Sequence, residues 1–417
     1  MKGKMLFLIV PILSLCMLSG CWDYIEYENL ALVFAMGIDM EEQTGQVTVT
    51  LQYVVPGASK GGGGGDGSKG ALSKVAIKTA SGLTLADAVQ KIQQSVGKRL
   101  FYGYMDIDVI GEAAAKNIIE DIMGMNDRTT SIRNTARLVI ASGKAADALS
   151  IEETDISVPA AAHIRKLVDE TISTGNAFPI IIEDFIEHMQ IRGLEPIAPR
   201  LVTTAAGKNE GGSGSSSEGI QGTGSKGGLK EGHHTIDGMA AFKGGEFAGW
   251  LDGTESRGLA WITGKNMAPY ISFKTSEDAD TKGIMFFRVT KSKGKIKVTL
   301  DNGKPVINVN VYAEADLKKY AKTMEPQILT PDVIKMIQRD LESTIHSEIE
   351  TALKKGQKEL KTDIFGFGFA FYRQYPKLWH SMYEQKWEEV FPDVVVNVNV
   401  KTKVISTGTN IMEFFNR

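Results

Sequence analysis

Cysteine is nearly absent from this chain. The only two, Cys16 and Cys21, lie close together near the start of the 417-residue sequence. Cys16 falls within an apolar run, residues 5–18, which is typical of the core of an export signal that is removed on maturation. With Cys16 removed and the thiol of Cys21 modified, the mature protein would have no free thiol, no disulfide and no thiolate ligand for a metal. Such a chain must be held together by its apolar core.

Long apolar runs and an excess of basic residues are also missing. Residues 5–18 are too short to cross a bilayer comfortably, which takes about 20 apolar residues, and no later stretch is apolar and long enough. The formal net charge of −3 does not fit a nucleic-acid-binding protein, whose surface is usually basic, so we predict no nucleic-acid partner. That charge also gives no general attraction to anionic lipid, and a link to a membrane would have to come from a covalent lipid.

The motifs of common enzyme and cofactor classes are missing as well. The six histidines show no spacing typical of a metal site, and His233 and His234 lie in a glycine- and serine-rich stretch. There is no GxSxG nucleophile motif. The glycine-rich loop at 56–70 contains Gly67-Ser68-Lys69-Gly70, which breaks the order that a phosphate-binding loop needs. We therefore predict no enzymatic activity, no catalytic residues, no metal site and no cofactor.

The N-terminal segment has the pattern of a lipoprotein signal. Lys2 and Lys4 precede the apolar run, and the run ends in Leu18-Ser19-Gly20-Cys21. This tetrapeptide is similar to a bacterial lipobox, in which cleavage falls before the cysteine and the thiol carries a diacylglycerol. We predict a signal peptide at residues 1–20 and lipidation of Cys21, and this lipid would be the membrane anchor.

Residues 21–203 alternate between strand and helix patterns, which predicts an α/β-like N-terminal domain. The continuous apolar run 30–37 and the alternating segments 46–55 and 71–80 are predicted strands, the last two around the glycine-rich loop. Thr84 is predicted to cap the helix that follows. Further along, the patterns predict strands at 105–110 and 135–140, and helices at 112–123 and within 159–190.

Glycine and serine dominate residues 208–232, which predicts a linker that we bound at 204–235. Residues 236–282 are predicted to form a β-rich middle domain, with short strands over 236–247 and 249–261. Residues 283–417 predict a C-terminal domain with a meander (283–289, 295–300 and 305–312), whose last two strands are joined by a hairpin turn at Asp301-Asn302-Gly303-Lys304. One long helix capped by Thr330 and a last strand at 394–405 are predicted to follow. The predicted fold class is α+β and multi-domain, with mixed sheets and packed helices.

Two compact clusters combine arginine with aromatic residues and glycine. One is Arg99-Leu100-Phe101-Tyr102-Gly103, and the other is Glu255-Ser256-Arg257-Gly258-Leu259 between two tryptophans. We predict that Arg99, Tyr102, Glu255 and Arg257 dock a partner, because arginine and aromatic side chains dominate binding hot spots. The alternative for each cluster is a structural turn, locked in the second by an Arg–Glu pair.

Six short motifs lie along the chain in this order: Gly20-Cys21-Trp22-Asp23, Gly37-Ile38-Asp39, Arg99-Leu100-Phe101-Tyr102-Gly103, Ile110-Gly111-Glu112, Glu255-Ser256-Arg257-Gly258-Leu259 and Asp363-Ile364-Phe365-Gly366-Phe367-Gly368. Taken in their order and spacing, they resemble the Ger(x)C family, the C subunits of GerA-type spore germinant receptors. The resemblance covers nearly the whole chain. It implies a multi-domain α+β fold, no known catalysis, and lipidation, of the palmitate type, at Cys21.

The resemblance also implies a location and partners. The protein would be a lipoprotein on the outer face of the spore's inner membrane and would act with two polytopic subunits, A and B, to trigger germination by nutrients. A small-molecule germinant is a further candidate ligand. Two other classes stay open: a solute-binding lipoprotein of an import system, which needs two similar lobes around a cleft, and an exported hydrolase, which the missing motifs disfavour.

Overall fold

The structure is a computed structural model that describes residues 26–56, 75–128, 132–153, 159–205, 230–265, 267–274, 284–321 and 331–406. These residues form two β-sheets, one of ten strands and one of four, with helices packed on both. The predicted α+β, multi-domain fold class with mixed sheets is confirmed. None of the helices in these residues is long and apolar enough to cross a membrane.

The first half of the chain alternates between strands and helices, as predicted. Its strands are β1 (Leu30–Met40), β2 (Val47–Val54), β3 (Val75–Gly82), β4 (Arg99–Phe101), β5 (Ile107–Gly111), β6 (Arg137–Ala141), β7 (Ile151–Glu153) and β8 (Ile197–Ala205). Its α-helices are α1 (Leu85–Val96), α2 (Glu112–Asn117), α3 (Ile119–Arg128), α4 (Ala145–Ser150), α5 (Ala160–Thr174) and α6 (Ile182–Gln190).

Local sequence explains these elements. Most of β1 is buried because its run of apolar residues is covered on both faces of the sheet. The predicted cap of α1 is present, since the hydroxyl of Thr84 accepts the backbone N–H of Asp87 at 3.2 Å. Gly97 ends the same helix in the left-handed conformation, with φ of 68°.

The second half supplies the rest of both sheets. Its strands are β9 (Lys230–Lys243), β10 (Glu246–Leu251), β11 (Tyr270–Lys274), β12 (Ile284–Asp301), β13 (Lys304–Ala321) and β14 (Val395–Ser406). Its α-helices are α7 (Gly253–Thr263), α8 (Pro331–Leu353), α9 (Phe367–Gln374), α10 (Pro376–Leu378) and α11 (Trp387–Val390). A π-helix, Lys354–Leu360, extends α8, so the long predicted helix is present.

The large sheet has the strand order β10-β9-β8-β6-β5-β1-β2-β3, with β4 paired to β1 and β7 paired to β9. Strands β1, β5, β6 and β8 are parallel neighbours at its centre, whereas the hairpins β1-β2-β3 and β8-β9-β10 are antiparallel. The carboxyl ends of β1, β5 and β6 therefore meet at one edge of the sheet.

The small sheet has the order β11-β12-β13-β14, and α8 packs against it. The predicted turn at Asp301-Asn302-Gly303-Lys304 joins β12 and β13, with Asn302 and Gly303 at positive φ, as a two-residue hairpin requires. The last strand, β14, runs parallel to β13 and was predicted almost to the residue.

Three expectations need correction. Residues 253–263 are the helix α7 rather than part of a strand, because Asp252 and Glu255 form a capping box: each side chain accepts the other residue's backbone N–H. The predicted meander segments 284–289 (the described part of 283–289) and 295–300 belong to one strand, β12, whose pairing with β13 has two irregularities and no turn.

The third correction concerns the segment that was predicted to be a linker. Residues 204 and 205 end β8 and residues 230–235 begin β9, which pairs antiparallel with β8, so only 206–229 connect these two strands of one sheet. The predicted β-rich middle, 236–282, accordingly contributes β9 and β10 to the large sheet and β11 to the small one. The signal peptide, Cys21, most of the glycine-rich loop, the Gly/Ser residues 206–229 and the Thr330 cap lie outside the described residues.

Candidate functional site

The carboxyl ends of β1, β5 and β6 enclose a polar cleft, which we call the Asp39 cleft. Asp39 follows directly on the buried part of β1, and both of its oxygens accept backbone N–H groups at the start of α4, from Ala145 at 2.7 Å and Ala146 at 2.8 Å. A Cβ atom at Gly111 would lie 2.1 Å from Oδ1 of Asp39, so only glycine fits there. Two of the motifs that carry the family resemblance, Gly37-Ile38-Asp39 and Ile110-Gly111-Glu112, thus meet at this edge.

The Asp39 cleft has a volume of about 290 Å³ and displays charges of both signs. Its rim includes Glu42, Lys144 and the ion pair of Glu112 with Lys116. In this pair Nζ of Lys116 lies 2.7 Å from Oε1 of Glu112. Burial raises the pKa of Asp39, and the two N–H donors oppose that rise. The lining offers carboxylates and ammonium groups, which can hold a polar ligand by hydrogen bonds and ion pairs.

The cluster at 99–103 lies beside the amino end of β1, at the opposite end of that strand from the Asp39 cleft. Strand β4 runs parallel to the start of β1, with Leu30 beside Arg99 and Leu32 beside Phe101. Arg99 is exposed, as predicted. Tyr102 is not an exposed anchor: its hydroxyl is buried, and burial raises its pKa to about 12. The exposed rings are instead Phe101 and Tyr104, at 38% and 47% exposure.

The cluster at 255–259 is internal, which contradicts the expectation of a surface turn. Arg257 is only 19% exposed and pairs with Glu348 of α8, at 2.6 Å from Nη2 to Oε1. Glu255 belongs to the capping box of α7 and not to the Arg–Glu pair that the sequence suggested. Arg257 and Glu255 therefore hold helices in place. Arg257 presents little surface to a partner, and docking through Glu255 stays a prediction.

The motif at 363–368 is organised around one buried carboxylate, that of Asp363. Asp363 accepts the backbone N–H groups of Phe367 at 3.0 Å and Gly368 at 2.7 Å, and the indole N–H of Trp387 at 2.8 Å. Burial raises its pKa to about 6, against the effect of these donors. The neighbouring Thr362 donates its hydroxyl to the carbonyl of Phe242 at 2.8 Å, which ties the motif to β9. We interpret this site as a set of structural hydrogen bonds that holds the C-terminal helices against the large sheet.

Sequence reasoning did not foresee the burial of three aspartates: Asp39, Asp108 and Asp363. Asp108 lies in the middle of β5, fully buried, and accepts one hydrogen bond from Asn126 of α3 at 3.1 Å. Burial raises its pKa to about 7. The signal in each case was an aspartate inside or next to an apolar run, a position that burial makes costly unless a hydrogen bond compensates. Within the ranges that the structure describes, no group of three or more potential metal ligands is found.

Comparison with known proteins gives consistent matches along the chain. A family described as "Spore germination protein N-terminal domain" matches residues 23–203, and one described as "Spore germination B3/GerAC like, C-terminal" matches residues 237–408. Spore germination protein KC of Bacillus subtilis (strain 168) is 30% identical over 98% of this chain and 97% of its own length. Spore germination protein B3 of the same organism is 22% identical, over 98% of both chains.

A solved structure has a similar fold. The crystal structure of the GerBC protein matches with a TM-score of 0.54 and 18% sequence identity, over 89% of this chain and 96% of that one. At this level of identity the match concerns the fold alone.

Proposed function

Because the chain belongs to the spore germination B3/GerAC-like family, we propose that it is a lipid-anchored, non-catalytic subunit of a spore germinant receptor. It is anchored through Cys21 on the outer face of the spore's inner membrane. There it acts with two polytopic subunits, A and B, to start germination when nutrients are present.

The observation that carries this proposal is similarity along the full length to a protein named for spore germination. The 30% identity extends over 98% of the chain, so it includes both sheets and not one shared module. The lipid anchor is supported by the sequence Leu18-Ser19-Gly20-Cys21. Tethering to a membrane raises the effective concentration of partners within it, so a modest contact surface is enough to hold them.

The competing class, a solute-binding lipoprotein, fits the fold less well. That class needs two similar lobes around a cleft, whereas the two sheets here differ in strand number and topology. The Asp39 cleft lies at the edge of the large sheet alone and is lined by residues of the first half of the chain. A small-molecule germinant remains a candidate ligand of this subunit, and the Asp39 cleft is the described cavity at which we would look for it first.

Co-purification tests the proposed partners. The tagged, lipidated chain is isolated from detergent-solubilised spore inner membranes, and the proteins recovered with it are identified by mass spectrometry. A different lipoprotein of the same membrane, carrying the same tag, is the matched control. We expect two polytopic proteins to be enriched with this chain alone. Recovery of the membrane subunits of an ATP-driven importer in their place would contradict the receptor assignment and support the solute-binding class.

A further inference from the structure

One edge of the large sheet displays aromatic rings and an arginine close to the start of the described chain. We call the residues Tyr27, Arg99, Phe101 and Tyr104 the anchor-side patch. Tyr27 immediately precedes β1, and β4 carries Arg99 and Phe101 beside the first residues of β1. Tyr104 follows in the short 3-10 turn Tyr102–Tyr104. Pairing of β4 with β1 therefore fixes the whole patch at one end of the strand.

The fold holds these rings outward. Tyr27, Phe101 and Tyr104 are 55%, 38% and 47% exposed, while Leu100 and Met105, which flank residues 101–104, are buried. The rings of Phe101 and Tyr104 meet edge to face, with centroids 5.8 Å apart. A Cβ atom at Gly103 would lie 2.7 Å from the ring of Phe101, so the absence of a side chain there lets that ring lie over the turn. The exposure of the pair is thus built by the backbone.

The distance along the chain to the proposed lipid limits where this patch can be. Tyr27 is six positions after Cys21, and an extended chain spans at most about 3.6 Å per residue, so the Cα atom of Tyr27 lies within about 22 Å of that of Cys21. Tyrosine and arginine are typical of the interface between lipid and water, where an apolar body and a polar tip are both accommodated.

We propose that the anchor-side patch contacts the lipid surface itself, with the rings of Phe101 and Tyr104 among the headgroups and Arg99 at a lipid phosphate. This inference rests on the proposed anchoring through Cys21. The partner is a phospholipid surface, since the short connection to the lipid keeps the patch within reach of that surface. Glu26 and Glu28 balance the charges of Lys98 and Arg99, so the contact depends on the rings and not on net charge.

Because the mature chain has no cysteine besides the modified Cys21, a single introduced cysteine carries a unique fluorescent probe. Tyr104→Cys reports on the patch. Leu83→Cys is the matched control, since Leu83 is 86% exposed and follows Gly82, which pairs with Val47 of β2. Val47 in turn pairs with Met40 at the far end of β1. The two positions are about 30 Å apart along the strand direction. The full lipidated chain is reconstituted into phosphatidylcholine vesicles, with or without phosphatidylglycerol, that contain a nitroxide-labelled phospholipid as quencher.

We expect the probe at position 104 to be quenched at least threefold more than the probe at 83, in both kinds of vesicle. Arg99→Glu or Phe101→Ser in the same background should reduce this quenching. Met382→Ser, which changes an exposed residue far along the chain, should not. Thermal melts confirm that each variant is folded.

Flotation of the vesicles separates the two claims. If the protein floats with the vesicles but the probes at 104 and 83 are quenched equally, the proposed lipid contact is wrong. A protein partner would then be the alternative occupant of the patch. If the lipidated protein does not float, the anchor is wrong, and the lipid contact is overturned with it.

Discussion

Arg257 on α7 and Glu348 on α8 form a two-pronged ion pair inside the protein. Nε of Arg257 lies 3.0 and 2.9 Å from the two carboxylate oxygens, and Nη2 lies 2.6 Å from Oε1. The indole N–H of Trp261 also donates to Glu348, at 2.8 Å. The charge of the buried carboxylate is thus fully compensated. This pair connects the helix that follows the large sheet to the long helix that covers the small one.

Removing one partner of this pair should destabilise the protein strongly. Arg257→Ala leaves Glu348 buried without its cation, which typically costs about 3–5 kcal/mol. Arg257→Lys keeps the charge but loses the fork geometry and should cost less. The matched control is Lys291→Ala, which removes an exposed pair with Glu314 at 3.7 Å and should cost at most about 1 kcal/mol. Denaturant midpoints measure both, and equal shifts for Arg257→Ala and Lys291→Ala would contradict a structural role for the buried pair.

Gly258 should not tolerate a methyl group. A Cβ atom there would lie 2.1 Å from the backbone carbonyl oxygen of Glu348 and 2.7 Å from Cβ of Ala352, so α7 would have to move off α8. We expect Gly258→Ala to destabilise by about 1–3 kcal/mol. Gly124→Ala is the control inside another helix: its Cβ would meet only the end of the Arg128 side chain, and it should stabilise by about 0.5–1 kcal/mol. We expect the melting temperature to fall for Gly258→Ala and to rise for Gly124→Ala. A shift in the same direction for both variants would refute the close contact of α7 with α8.

The free energy of unfolding should decrease as pH rises from about 4 to about 7, because of Asp108. Its folded-state pKa of about 7 lies above the ordinary value of 3.8, so protonation stabilises the folded state fully below pH 3.8, and this contribution is lost as pH rises through 7. Between pH 5 and pH 8 the loss amounts to about 2–3 kcal/mol. Asp108→Asn removes this titration. The melting temperature of the variant, measured relative to wild type, should therefore be higher at pH 8 than at pH 5. Asp121→Asn, at an exposed carboxylate, is the control. A gain for Asp108→Asn that does not depend on pH would count against this explanation.

The segment 206–229 should be replaceable by a four-residue turn. Ala205 and Gly232 are paired across β8 and β9, so the two strands are already adjacent where the segment leaves the sheet. Closing a shorter loop costs less entropy, by about 1–2 kcal/mol for this change in length. Thermal melting of the shortened chain should be cooperative and at or above the wild-type temperature. Loss of the cooperative transition would show that the segment does more than connect the two strands.

Much of the fold follows from local sequence. Strand β1 is a continuous apolar run, α1 has its cap and its terminal glycine, and β12 and β13 are joined by an Asn-Gly turn, and each of these was predicted where it lies. These elements are determined by periodicity and by residues a few positions apart. The helix α7 was missed because two glycines and two tryptophans within 250–261 look like turn and strand, although Asp252 and Glu255 carried the capping signal.

Contacts between distant residues could not be predicted in this way. The pairing of β8 with β9 brings together strands on either side of a long insertion, and no local pattern records it. For the same reason Arg257 was assigned to the surface, since its partner Glu348 lies 91 positions further along the chain. Arg99 and Tyr102 were predicted to dock a partner, and Arg99 is exposed. The exposed rings beside it are Phe101 and Tyr104 and not Tyr102, because β4 and the following turn direct alternate side chains inward.

The rate at which spores lose optical density after nutrient addition tests the proposed function most directly. The measurement uses a strain in which this receptor is the only one present and compares spores without this chain, with the wild-type chain, and with Cys21→Ala. We predict that the wild-type chain restores a fast, nutrient-dependent loss of optical density, while deletion and Cys21→Ala leave the spores at least tenfold slower. Spores that germinate at the wild-type rate without the chain would contradict its role as a receptor subunit, and full activity of Cys21→Ala would contradict the lipid anchor.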